Sequence, residues 1–148
     1  MLDQGFDHHA WHGPSLAGTI RGLTVGHALW RPAPGRHNIW ELVLHTAYWK
    51  YAVRRRLTDG EHGAFPRSGA NWPRLPGAAT DRKWRADVAL LKEQHVRLRE
   101  VVAGLAPADL SRRGGRRRWT NAEMIYGVAM HDLYHAGQIQ LLKRLQGA

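Results

Sequence analysis

The sequence predicts an all-α fold, a four-helix bundle with a long crossover between its second and third helices. Three observations carry this. Three long stretches repeat apolar residues at steps of three and four, the rhythm of one face of an α-helix. A segment rich in Gly, Pro and Trp, residues 58–80, separates the first two of them. Nothing alternates with the period of two that marks a half-buried strand.

The elements follow in order. Leu16, Ile20 and Leu23 suggest a short first helix over about Ser15 to Leu23, with Ser15 as its cap. Pro32 and Pro34 break any helix at residues 31–36. Asn38 then caps a strong second helix running to about Leu57, whose inward stripe is Leu42, His45, Trp49 and Ala52 or Val53. Connections as long as 58–80 are unusual inside a compact domain. At roughly 3.3 Å per residue this one spans the ~30 Å of a 20-residue helix, so the second and third helices are expected to run parallel. Trp72 and the neighbouring prolines are expected to close over one end of the bundle. The third helix runs from Asp81 to about Leu105 with Trp84, Val88, Leu91, His95 and Leu98 inward, and Gly104 and Pro107 end it. Thr120 and Glu123 have the spacing of a capping box and open the fourth helix, which continues to about Leu145.

At 148 residues the chain is read as one domain, residues 1–148. It has no cysteine, which excludes disulfides, thiolate ligands and a cysteine nucleophile. The N-terminus lacks the apolar run of a signal peptide, and no stretch reaches the ~20 apolar residues of a membrane helix. The expectation is a soluble, cytoplasmic protein with no membrane partner. A net charge of +10 raises nucleic acid as a partner, through Arg54 to Arg56 and the run Arg112, Arg113, Arg116, Arg117 and Arg118. No base-reading motif accompanies these arginines. A solvated basic surface is the favoured reading, and attraction of an anionic small substrate is a second.

The stripe of the fourth helix reads Met124, Val128, His131, His135, Gln138, Leu142 and Leu145. Three of these seven inward positions are polar. Burying imidazole or amide groups without partners costs on the order of a few kcal/mol each, so something in the core must satisfy them. His131 and His135 are four apart, which puts both rings on one helix face. Together with His45 from the second helix they supply three nitrogen ligands, the set of an open catalytic-type metal site. Imidazole donors suit zinc, nickel, copper or iron rather than magnesium or calcium. The competing reading is a hydrogen-bonded, metal-free pair at a helix boundary; the third inward histidine favours the metal. Of the ten histidines, His8, His9, His12, His27, His37 and His62 read as solvated or locally bonded. His95, alone on its helix, reads as a satisfied core or boundary histidine.

Segment 31–49, ending in His45, Tyr48 and Trp49, resembles the first signature of the DinB-like superfamily of bacterial metal-binding bundles, and segment 131–139 resembles the second. Trp11, His12, Gly13 and the Trp-Pro crossover extend the likeness over nearly the whole chain. The resemblance implies a four-helix fold with parallel middle helices and a divalent metal such as zinc, nickel or iron held by His45, His131 and His135. It also implies relatives that use a low-molecular-weight thiol such as mycothiol or bacillithiol as transferases or isomerases. On this basis the leading expectation is a thiol-dependent S-transferase acting on an electrophilic small molecule in detoxification or stress response. A metal-dependent hydrolase is the runner-up, and a non-enzymatic basic bundle binding nucleic acid is the third reading. Gln138 is a candidate hydrogen-bonder to a metal-bound group. Glu41, one turn before His45, is a candidate acceptor for a ligand N–H, or equally a surface carboxylate. Tyr48, Asp132 and Tyr134 fit outer-shell or packing roles alike. The superfamily's bundles often pair, so a homodimer is a further expectation.

Overall fold

The structure, a computed structural model, describes residues 1–8, 11–58, 60, 63–114 and 118–147. His9, His62, Arg116 and Arg117 lie outside the described residues. All regular structure among the described residues is helical: α1 (Leu2–Phe6), α2 (Leu16–Thr19), α3 (Val25–Leu29), α4 (Ile39–Leu57), α5 (Asp81–Ala103) and α6 (Asn121–Gln146), with a 3-10 turn over Pro107–Ser111. Among the described residues no helix is long and apolar enough to cross a membrane.

The three long helices begin at the expected residues, two of them at the caps the sequence names. The Asn38 side chain accepts from the Glu41 N–H at 2.8 Å, while the Glu41 carboxylate accepts from the Asn38 N–H at 3.1 Å. Thr80 caps α5, and Thr120 with Glu123 forms the reciprocal box that opens α6. The α5 helix ends at Ala103 with Gly104 as its cap.

Beside α4, α5 lies with like ends together. Near their starts, the Trp40 indole N–H donates to Asp87 at 2.8 Å and the ring meets Trp84 edge-on. Farther along, Tyr51 and Arg54 share a small cleft with Glu93, Gln94 and Arg97. Against α6 the order reverses: Val53 and Leu57 pack in one apolar cluster with Ile125 and Val128, whereas His45 meets His131 and His135.

Two expectations need correction. The first helix does not run from Ser15 to Leu23. Ser15 does cap it, but the helix stops after Thr19; Gly22 takes a left-handed φ of 75° and Thr24 caps a new helix, α3. The unforeseen α1 lies on α6, so close at Gly5 that a Cβ there would sit 3.0 Å from the Ala129 carbonyl oxygen. The second correction concerns α6. Its buried line is Ile125, Val128, Asp132, His135, Ile139 and Leu142, with His131 and Gln138 half-buried along one edge and Leu145 exposed. The reason is Asp132: its carboxylate forms an ion pair with Lys50 of α4, and both side chains are fully buried.

Candidate metal centre

His45 projects from the middle of α4, and His131 and His135 from successive turns of α6 across from it. The Nε2 atom of His131 lies 3.0 Å from Nε2 of His45 and 3.0 Å from Nε2 of His135. One ligand nitrogen from each ring can be chosen so that all three lie within 4.8 Å of one another. His45 and His135 are buried, and His131 is half-buried at the cleft edge.

The outer nitrogens explain how the rings are aimed. Nδ1 of His45 donates to the backbone carbonyl of Asn71 at 2.7 Å, and Nδ1 of His135 donates to Oε1 of Gln138 at 2.7 Å. The Gln138 amide in turn donates to the Tyr134 hydroxyl at 3.1 Å. With their protons on Nδ1, His45 and His135 turn Nε2 lone pairs inward. A single N–H on His131 cannot satisfy both neighbours at 3.0 Å. Placing that proton on His131 Nδ1 instead leaves it on a buried atom with no hydrogen-bond partner and brings three lone pairs together. A cation among the three nitrogens resolves the conflict. Tetrahedral zinc with Zn–N of about 2.05 Å sets its nitrogens roughly 3.3 Å apart, only a few tenths of an ångström wider than the spacing here. The residues therefore fit a divalent transition metal.

Electrostatics point the same way. Burial, reinforced by the neighbouring imidazoles, pushes His131 down to about 3, and burial pushes His135 down to about 4. Burial also lowers His45 below its ordinary value, against the opposing pull of the Asn71 carbonyl. Neutral rings are the metal-ligating form.

Asn71 and Trp72 shape one wall. Asn71 takes a positive φ of 64°, a conformation Asn tolerates better than most residues, and its side chain accepts from the Trp49 indole at 2.8 Å. Trp72 is sandwiched between His37 and His45, with ring centroids 3.6 and 3.9 Å apart. Two clefts reach the cluster, one of about 970 Å³ bounded by His45 and His131, the other of about 670 Å³ bounded by all three histidines.

Other candidates fall elsewhere. Glu41 touches no ligand ring: its carboxylate is held by Arg31 at 2.6 and 2.7 Å, by His37 at 3.1 Å and by the Asn38 N–H. The role expected of it belongs to the Asn71 carbonyl for His45. Gln138 bonds directly to His135. Asp132 pairs with Lys50, Tyr48 packs against Trp49, Tyr51 and Phe65, and Tyr134 is largely exposed. His95 is buried, stacked on Phe6 at 3.8 Å and bonded through Nε2 to Asp3 at 3.2 Å, while its Nδ1 has no partner. Asp3, Asp7 and His95 also bring ligand-type atoms within 4.8 Å. There, however, Asp3 pairs with Arg99 and Asp7 with His8, and the Lys50 ammonium opposes further positive charge.

A profile of the DinB superfamily matches residues 10–139. The chain belongs to the DinB superfamily. No curated protein and no solved structure matches it. The match takes in both segments that carry the three histidines. The sequence of this DinB-superfamily chain pointed to those histidines and, in a different role, to Gln138, but not to Asn71 or Lys50. For Asn71 the only signal is an Asn two residues after Gly69 and before Trp72 and Pro73, a turn-forming context. For Lys50 there was none.

Proposed function

We propose that this protein is a metal-dependent enzyme in which His45, His131 and His135 hold one divalent transition metal. The observation that carries this is the meeting of three Nε2 atoms 3.0 Å apart in sequence, with two of the outer nitrogens tied to oxygen acceptors. When bound, such an ion supplies a lowered pKa for a thiol or water in its remaining coordination position. The chain's own groups do the rest. Asn71 and Gln138 hold two imidazoles in the ligating tautomer, Trp72 covers His45 from water, and the two clefts admit small molecules to the same point.

The reaction best matched is thiol S-transfer. A low-molecular-weight thiol gives up its proton to solvent, its sulfur forms a bond to an electrophilic carbon, and a leaving group departs with the electron pair of the broken bond. The architecture that goes with this reading is an up-down-down-up bundle, with the segment carrying α1, α2 and α3 in the place of a first long helix.

The test is elemental analysis and zinc titration of the wild type beside His45→Ala and His135→Ala. Near-stoichiometric metal in the wild type and its loss in both variants is expected. A wild type that takes up no metal on reconstitution would overturn the proposal. Turnover of an electrophile with added thiol, absent without it, is the expected activity; turnover independent of thiol would point to hydrolysis.

A further inference from the structure

We infer that the cleft of about 970 Å³ beside His131 takes the electrophile, a flat apolar compound that carries one anionic group. This rests on the metal-enzyme reading above and adds the substrate class. Its walls are apolar side chains, among them Trp49, Val53, Trp119, Met130 and Tyr126, and His45 and His131 form its inner end. The volume suits a ligand of one or two fused rings with substituents. Trp119, Tyr126 and Met130 are each more than half exposed, so this apolar surface faces the open cleft rather than the core.

Two cations line the same cleft, and each lies over a tryptophan. The Arg56 guanidinium carbon is 5.4 Å from the Trp49 ring centre, and that of Arg118 is 4.8 Å from Trp119. The Arg118 guanidinium, held over an indole face, offers donors that can receive a carboxylate, sulfonate or phosphate in bidentate fashion. The cleft also holds one carboxylate, Glu123, whose Oε2 accepts from the N–H and hydroxyl of Thr120 at 2.7 and 2.9 Å, so two cations outnumber one anion there. Ring-binding walls, a positive rim and an end at the histidine cluster together select an aromatic anion. The smaller cleft reaches the histidines from the other half of α6, past His37, Tyr134 and Gln138. The thiol and the electrophile therefore need not share an entrance.

Calorimetric titration with naphthalene-2-sulfonate, its neutral sulfonamide and methanesulfonate tests this, on protein with and without one equivalent of zinc. The sulfonate should bind about tenfold more tightly than the sulfonamide, the worth of one charge-assisted contact, and methanesulfonate should give no signal. Arg118→Gln should erase the difference between the two naphthalenes and leave zinc affinity unchanged, whereas Trp119→Ala should weaken both. Equal binding of the two naphthalenes, or no binding of either, would overturn the inference. So would sedimentation showing that the wild type dimerises through this face and binds neither probe until Trp119→Ala frees it. Zinc binding without probe binding sinks the cleft assignment alone, and probe binding without zinc binding sinks the metal reading, and with it the claim that the bound compound is a substrate.

Discussion

Gln138 decides which nitrogen of His135 faces the cluster, because its Oε1 takes the Nδ1 proton at 2.7 Å. Replacing it with Leu leaves that N–H without an acceptor and frees the ring to adopt the tautomer that points a proton inward. Loss of such an outer partner typically weakens metal affinity about 10–100-fold. Competition of Gln138→Leu against a chromophoric chelator should show a loss of that size, with Gln138→Glu, which keeps an acceptor, within a few-fold of wild type. Wild-type affinity in Gln138→Leu would remove the residue from this role. Asn71 should behave differently: its backbone carbonyl holds His45, so the carbonyl survives any side-chain substitution that tolerates a positive φ. That difference also marks what was legible. Histidine spacing and Gln138 are written in side-chain identity, whereas a backbone carbonyl has no letter of its own.

Lys50 and Asp132 join α4 to α6 at full burial, each 0% exposed. Burial alone would lower the lysine and raise the aspartate, and each restrains the other. Such a pair sets the register of two helices, and breaking it from one side leaves an uncompensated charge in the core. Lys50→Met should therefore destabilise the protein by about 3–5 kcal/mol in urea unfolding, and adding Asp132→Leu should recover most of that loss. A single variant as stable as the wild type would show that the pair does not restrain the helices. The same pair explains where pattern reading failed on α6. Apolar periodicity alone does not mark an aspartate as buried, so the pattern points to a stripe through His131, Gln138 and Leu145 rather than one through Asp132. Helix starts were legible at Asn38 and Thr120 because a cap is a local hydrogen bond between residues three apart. The N-terminal third was not, because Gly22 and a second cap at Thr24 divide one apolar pattern into two short helices.

Across the whole molecule the all-helical class was legible, since periodicity over three long segments is a strong signal, and so was the cost of packing imidazoles inward, but not the pH dependence that comes with it. His95 and His135, 3% and 4% exposed, are each held near 4, and His131 near 3, against an ordinary value of 6.5. In the folded chain these rings stay neutral as the pH falls below 6.5, while in the unfolded chain they take up protons. The unfolded state thus binds more protons between about pH 6.5 and 4, and stability declines through that window. At 1.36 kcal/mol per pH unit, His95 and His135 each contribute roughly 3 kcal/mol to the loss by pH 4. Against a total stability of about 5–15 kcal/mol, that is a large share of what holds the metal-free protein folded. Asp132, whose carboxyl is pushed up by burial, works in the opposite sense, so a comparison with His95→Gln isolates one imidazole's share. In the presence of chelator, circular dichroism should show wild-type unfolding with a midpoint between pH 6 and 4, and a urea midpoint that drops steadily from pH 7 to 5. His95→Gln should show a shallower drop over the same range. An unchanged urea midpoint between pH 7 and 4.5 would mean that these rings are protonated in the fold, and that their nitrogens are not held ready for a metal.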